Sequence, residues 1–342
     1  MKILFICRNF TNKSGQGIDR VNYKLVEQLK KEKNIEIEII SSKIPIENTL
    51  QGVFYDFSLI FKLWKKKADV YYATVPYVGV APIFLGKKNL ITAIYDLIPF
   101  FYTGMNFLSR YYYIFCTNIC KKSDKIITIS NYSKKEILNC LKLKSKDVKR
   151  IYLAIDPGLF YPKKIKKNKK FKIGFIGGLT KQKNPIALIK AFKDLNDKNT
   201  ELVIGGKGKE FSKLVLYVKE HNIENIQFLG YVPDKELPDF YRGLNLFVYP
   251  SLHEGFGLPP LEAMACGVPV ICSNRESLPE VVGNAAILVN PNKIEEIKRA
   301  IEKVLNSKKL QKDMRNLGLI RAKNFSWEKT AEEYLKVIKN ID

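Results

Sequence analysis

A chain of 342 residues exceeds the usual size of one hydrophobic core, about 250–300 residues, and so implies two domains. Its 46% hydrophobic and 27% charged residues are ordinary for a folded globular protein and exclude extensive disorder. The formal charge of +24 asks for an anionic partner or a basic solvated surface, yet no RNP motif, zinc-finger spacing or helix-turn-helix pattern is present, so nucleic acid is not the expected partner.

The start, MKILFICRNF, has one lysine before a short apolar run and reads as a first core strand rather than a secretory signal. A helical pattern through VNYKLVEQLKKEK and the strand-like IEIEIIS follow, giving the β-α-β rhythm of a parallel sheet. VYYAT, LITAIYD and KIITIS add strands. The longest uncharged stretch, residues 70–86, holds Pro76 and Pro82 and falls short of the about 20 residues of a membrane helix, so it reads as strand, loop and short helix. A helix is expected around LSRYYYIFCTNICKK. Its Tyr111, Tyr112, Tyr113 and Phe115 are read as packing against the sheet, with contact to lipid or acceptor as the alternative.

The basic run PKKIKKNKK at 162–170 is the clearest composition break and is read as a linker, after which FKIGFIGG restarts the strand pattern. ELVIGG, IQFLG, LFVYP, VPVICS and AILVN continue it, so the second half repeats the first. The expected domains are 1–165 and 166–325, both α/β and Rossmann-like, with residues 326–342 forming a last helix. Residues 1–165 hold 28 Lys and Arg against 13 Asp and Glu, and residues 166–342 hold 30 against 21. The first domain therefore carries the larger excess. It is expected to lean on an anionic membrane or a phosphorylated lipid carrier, where each nearby cation contributes about 1 kcal/mol; a merely solvated basic surface is the alternative. Cys7, Cys116, Cys120, Cys140, Cys266 and Cys272 contain no CxxC pair, and with only His221 and His253 beside them a metal cluster is not expected. Free thiols suit the cytoplasm, with association at the inner face of the cell membrane.

The most informative segment is residues 250–284, PSLHEGFGLPPLEAMACGVPVICSNRESLPEVVGN. Glu254 lies in a loop after the strand LFVYP, Gly255 and Gly257 allow close backbone approach, and Pro259 and Pro260 open a helix that carries Glu262. Ligands of open α/β sheets bind beyond the carboxyl ends of the strands, and helix N-termini attract phosphate. The run E-GFGLPPL-E resembles the E-x7-E signature of retaining glycosyltransferases of family 4, and the likeness continues through SNRESLPEVVGNAAILVNP at 273–291. The resemblance implies the GT-B fold, two Rossmann-like domains facing each other across a cleft, with the last helix crossing back to the first domain. It implies that Glu254 meets the donor sugar and Glu262 the nucleotide ribose, with Gly255, Phe256, Gly257 and Leu258 lining the donor site.

Further positions follow from the same resemblance. Lys183, in the loop LTKQK before an N-cap at Asn184 and a helix opening at Pro185, matches the family's phosphate-binding lysine and joins Glu254 as a catalytic candidate. The family's arginine is replaced here by Gly178, and Lys181 is a candidate substitute. Gly206 in GGKGKE, and Tyr231 and Val232 in GYVPDKEL, match the nucleotide pocket. In the first domain Gly15 and Gly17 of SGQGIDR are expected near the diphosphate or acceptor. Tyr95 and Asp96 of IYDLIPF are expected at the cleft, tyrosine standing where the family has histidine; a core tyrosine and a loop-anchoring aspartate are the alternatives. No DxD triplet occurs, so metal-independent transfer without a cofactor is expected. A general-base role for His253 is the weaker alternative.

The implied activity is retaining transfer of a sugar from an NDP-sugar to a glycan or lipid-linked acceptor in surface polysaccharide assembly. A non-catalytic sugar-nucleotide-binding partner of another transferase and a GT-B sugar-nucleotide epimerase are the alternatives.

Overall fold

The structure, a computed structural model, describes residues 1–10, 17–44, 46, 48–101, 106–163 and 169–341. Contacts divide the chain into two compact units, Met1–Ala154 with Trp327–Asp342, and Ile155–Ser326. The division precedes the 165/166 boundary read from composition because residues after Ala154 are tied to the second unit. Phe160 packs edge-on against Tyr241 at 6.1 Å, and Arg242 donates to the carbonyls of Leu159 and Tyr161 at 3.0 and 2.9 Å. Residues 164–168 of the expected linker lie outside the described residues.

The first unit comprises β1 (Lys2–Ile6), α1 (Gly17–Leu29), β2 (Glu36–Ile40), α2 (Thr49–Leu63), β3 (Val70–Ala73), α3 (Pro76–Phe84), β4 (Leu90–Ala93), α4 (Ile98–Phe101), α5 (Phe107–Cys120), β5 (Lys125–Thr128), α6 (Asn131–Leu141) and β6 (Val148–Arg150). Its sheet is parallel, in the order β2-β1-β3-β4-β5-β6. The near-continuous apolar runs of β1, β3 and β4 follow from burial on both faces, as a sheet covered by crossover helices requires. Asn48, Asn106 and Ser130 cap α2, α5 and α6, each accepting from a backbone N–H three residues on. The chain's last helix belongs to this unit, as described below.

The second unit contains β7 (Phe171–Ile176), α7 (Pro185–Leu195), β8 (Thr200–Gly205), α8 (Phe211–Glu220), β9 (Ile226–Gly230), α9 (Leu237–Arg242), β10 (Leu246–Tyr249), α10 (Leu258–Ala265), β11 (Val270–Ser273), α11 (Leu278–Val282), β12 (Ala286–Val289), α12 (Ile294–Leu305) and α13 (Lys308–Ala322). The helix after it, α14 (Trp327–Lys339), packs against α1 in the first unit, where the Tyr334 ring meets Tyr72 at 5.8 Å. The second sheet is also parallel, ordered β12-β11-β10-β7-β8-β9. From β7 the chain builds outward through β8 and β9, then returns to β7's other side with β10. The strand order therefore reverses between β7 and β10, the point where open α/β sheets hold their ligands. Among the described residues no helix is long and apolar enough to cross a membrane.

Glycines hold the ends of β7 and β8 together. Gly206 has φ +128°, its N–H donates to the Gly230 carbonyl at 2.6 Å, and an added Cβ would lie 1.8 Å from the Gly177 carbonyl oxygen. Gly206→Ala is therefore expected to lower stability by about 2 kcal/mol or more, read as a fall in the midpoint of chemical denaturation.

Candidate functional site

The loop after β7 and the loop after β10 meet at the strand-order reversal and are laced together. Leu252 N–H donates to the Gln182 carbonyl at 2.8 Å, Gln182 Nε2 to the His253 carbonyl at 2.9 Å, and Ser251 Oγ to the Gln182 carbonyl at 3.2 Å. Asn184 opens α7 in the left-handed region at φ +53°, but its side chain makes no cap. Its Nδ2 instead reaches the carbonyls of Pro250 and Pro291, at 3.2 and 2.9 Å. Asn184 holds the N-cap position and Pro185 opens the helix, as expected, but the left-handed backbone turns its amide away from the first helical turn, where it joins loops instead of capping.

This lacing brings Lys183 and Glu254 together. Lys183 Nζ lies 2.5 Å from Glu254 Oε1 and 5.8 Å from the Tyr249 ring centroid. Glu254 is 8% exposed. A carboxylate so withdrawn from water requires a cation or several donors, and Lys183 supplies the cation. Glu262, on the inner face of α10, is 3% exposed and accepts from the Tyr241 hydroxyl at 2.9 Å. Both carboxylates bear on Tyr249, whose hydroxyl is held well above the ordinary phenol range by burial first, then by Glu254 and Glu262. The structure so gathers both glutamates and Lys183 around one buried tyrosine.

The glycine-rich loop leading into α10 is shaped by its neighbours. Gly257 has φ +106°, where a side chain would be strained and would meet Leu278. Ser277 Oγ donates to the carbonyls of Glu254 and Phe256 at 2.7 and 3.0 Å, fixing the backbone through Gly255 as far as Leu258. Glu276 provides the other clamp: one oxygen accepts the Glu254 N–H at 2.6 Å, and the other lies 2.5 Å from His253 Nδ1. Glu276 itself sits at φ +54°, a conformation costing a non-glycine residue about 1 kcal/mol or more. His253 is thereby engaged as a structural partner of Glu276.

Across β7 lies the second wall. Leu179 N–H donates to the Lys207 carbonyl at 2.9 Å, joining the Gly178 loop to the loop that holds Gly206. Beyond it Tyr231 is 48% exposed, with Lys207 Nζ 6.0 Å from its ring, and Val232 packs where a Cβ at Gly205 would fall. Gly178 and Lys181 are both exposed on the loop after β7. A Cβ at Gly178 would meet nothing nearer than Thr180 Cγ2 at 3.8 Å.

The first-unit candidates behave differently. Gly15 lies outside the described residues, and Gly17 is the first residue of α1. Tyr95 is buried, and its hydroxyl donates to Asn22 Oδ1 at 3.2 Å within the same unit. Burial and the neighbouring Tyr334 hold that phenol well above its usual range. Asp96 Oδ1 accepts from Ile98 N–H at 3.0 Å, the loop anchor that was the alternative. Sequence reasoning missed Glu276, Tyr249 and Tyr241. Glu276 and Tyr249 stood within the segments read around the two glutamates, whereas Tyr241 lay outside them.

Lys183, Glu254 and Glu262 thus gather at the strand-order reversal, where open α/β sheets hold their ligands, beside a glycine loop running into a helix. Residues 160–319 match the family described as glycosyl transferases group 1, and this segment belongs to that family. O-antigen chain mannosyltransferase B of Escherichia coli is 41% identical over 170 residues, 48% of this chain and 45% of that one. The chain spans less than two thirds of the length of the curated relatives it matches. Sucrose-phosphate synthase from Thermosynechococcus elongatus has the same fold over 99% of this chain and 98% of that one, with a TM-score of 0.83 at 18% identity. The Anabaena protein HepE in complex with UDP-glucose matches over 99% of each chain, with a TM-score of 0.77 at 17% identity. The fold is accordingly GT-B, two units each built on a parallel six-stranded sheet.

Because Glu276 clamps the backbone that carries Glu254, Glu276→Ala is expected to lower kcat/KM of any activity at this site by about tenfold or more through misplacement of Glu254. Steady-state kinetics with a parallel denaturation curve check it; unchanged kinetics would remove the positioning role.

Proposed function

We propose that the second unit binds a nucleoside diphosphate sugar and that the chain transfers the sugar, with retention of anomeric configuration, to a glycan or lipid-linked acceptor in cell-surface polysaccharide assembly. The observation that carries this is the Lys183–Glu254 pair at the ends of β7 and β10. The name of the E. coli relative, an O-antigen chain mannosyltransferase, supports the polysaccharide setting, and the UDP-glucose held by HepE supports the donor class.

In this reading Lys183 and the N-terminus of α7 face the diphosphate, Glu254 orients the sugar hydroxyls, and Glu262 meets the ribose. Backbone amides from Gly255 to Leu258 approach the donor, and Gly206, Tyr231 and Val232 border the nucleotide. Retention follows the family 4 pattern by front-face substitution. The acceptor oxygen bonds to the anomeric carbon as the carbon–phosphate oxygen bond breaks. The electron pair leaves with the nucleoside diphosphate, whose phosphate oxygen takes the acceptor's proton. We assign charge neutralisation to Lys183, with Lys181 as a second cation, and propose transfer without a metal, since the sequence has no DxD triplet. The buried free thiols of Cys7, Cys116, Cys120, Cys266 and Cys272 support a reducing, cytoplasmic setting.

A second reading, a non-catalytic sugar-nucleotide-binding subunit, is favoured by one observation, the absence of a cation at Gly178. It predicts nucleotide binding without transfer or donor hydrolysis over an acceptor panel.

Lys183→Ala and Glu254→Ala are each expected to lower kcat by about 10²-fold, the cost of losing an oxyanion-type partner. The assay is NDP release over a panel of UDP-, GDP- and dTDP-sugars with lipid-linked and glycan acceptors, and near wild-type turnover would remove both roles. Gly178→Arg, placed where the backbone leaves room, is expected to tighten donor binding about tenfold through one charge-assisted phosphate contact while the melting temperature holds. Calorimetric titration with the donor found in that panel checks it.

A further inference from the structure

Helix α2 is apolar on both faces. Tyr55, Leu59 and Leu63 point into the first unit's core. The opposite face carries Leu50, Phe54, Phe57, Phe61 and Trp64, at alternating steps of four and three, between 62% and 83% exposed. Such a stripe runs straight along a helix, over about 21 Å from Leu50 to Trp64. The only acidic residue of α2, Asp56, is turned inward onto Arg8 and Tyr112.

Helix α5 touches α2 near its start, where the Thr49 and Ser109 hydroxyls meet at 2.5 Å and Tyr112 donates to Asp56 at 2.9 Å, while α3 packs against each of them. The outward face of α5 shows Phe107, Tyr111 and Phe115, each more than half exposed. Tyr112 and Tyr113 are partly buried, so the tyrosine run divides between core and surface. Both helices end in lysines, Lys62 and Lys65–Lys67 on one, Lys121 and Lys122 on the other, all exposed.

We propose that the outward face of α2, joined near its start by that of α5, is a membrane-docking surface, its aromatic stripe lying in the headgroup region of an anionic bilayer and the lysines at the end of α2 pairing with the lipid phosphates. Lone exposed apolar residues need no explanation, but two adjoining rows of them do. Helices that lie on membranes combine an aromatic face with flanking lysines whose stems reach along the apolar surface. Protein interfaces, by contrast, are depleted of lysine. The charge complement to anionic lipid is direct, since each helix ends in lysines and α5 contains no acidic residue. Composition alone indicated only a basic first half; the structure assigns the contact to one face. The assignment stands apart from the donor site, which lies in the other unit.

The test uses the full chain with vesicles of phosphatidylcholine, with and without phosphatidylglycerol. The chain has two tryptophans, Trp64 exposed and Trp327 buried, so lipid contact reads out at Trp64. Its emission should shift to the blue on phosphatidylglycerol vesicles, and Trp64→Phe should abolish the shift. The double variant Phe57→Ser/Phe61→Ser should reduce the vesicle-bound fraction about tenfold or more. Lys65→Gln/Lys67→Gln should erase the preference for anionic vesicles. UDP binding should be equal in all variants, which separates failure here from failure of the donor reading. An unshifted Trp64 emission, or equal sedimentation of the serine variant with vesicles, would overturn the proposal. So would self-association in sedimentation velocity that Phe57→Ser/Phe61→Ser abolishes without any vesicle binding, which would give the face to a second copy.

Discussion

The ion pair between Lys183 and Glu254 sets the terms for the second unit. A carboxylate and an ammonium drawn out of water stabilise a protein only when each has the other in good geometry, and removing one leaves the other uncompensated. The two groups come from loops following strands that are neighbours in the sheet but lie far apart in the chain. Neither loop alone can fix the distance. The cross-links made by Gln182, Ser251 and Asn184, together with the Glu276 clamp, are what convert two flexible connections into one rigid wall. The strain at Glu276 fits this account, since the left-handed backbone aims its carboxylate back at the Glu254 amide.

The first unit repeats the topology and fills the equivalent position differently. Its strand order reverses between β1 and β3, and there too a cation follows the first strand. Arg8 binds Asp56 through Nε and Nη2, lies 3.8 Å from the Tyr77 ring centroid, and a side chain at Gly52 would collide with it. Burial lifts the Asp56 carboxyl above its usual range while Arg8 opposes the rise. This guanidinium is held between one carboxylate on α2 and one aromatic face on α3, so it fastens both helices to the sheet. The same architectural position holds an open, one-to-one pair in the second unit and a closed structural knot in the first.

Much of this was legible in the sequence because parallel strands buried on both faces announce themselves as apolar runs. β1, β7, β8 and β10 stand close to where KILFIC, FKIGFIGG, ELVIGG and LFVYP place them, and residues 70–86 resolve into β3, a short connection and α3. The glutamate pair and Lys183 were visible through their motif. What stayed hidden was set by partners distant in the chain. Glu276 acts 22 positions from Glu254, and Asn184 bonds carbonyls 66 and 107 positions away. Tyr95 ends an apolar strand, and a tyrosine there looks the same in sequence whether its hydroxyl meets a ligand or Asn22. The outward stripe of α2 was obscured because both faces of that helix are apolar, which leaves no amphipathic contrast to mark which side faces water.

The first unit is discontinuous in the chain, since its closing helix, α14, follows the whole of the second unit. Tyr72, fully buried beneath the Tyr334 ring and linked to its hydroxyl at 3.2 Å, lacks that cover until α14 has been synthesised. Continuous and complete by Ser326, the second unit matures first although it is translated second. Until α14 emerges the nascent first unit therefore has one flank of its sheet uncovered, a window in which chaperones have their natural point of attachment.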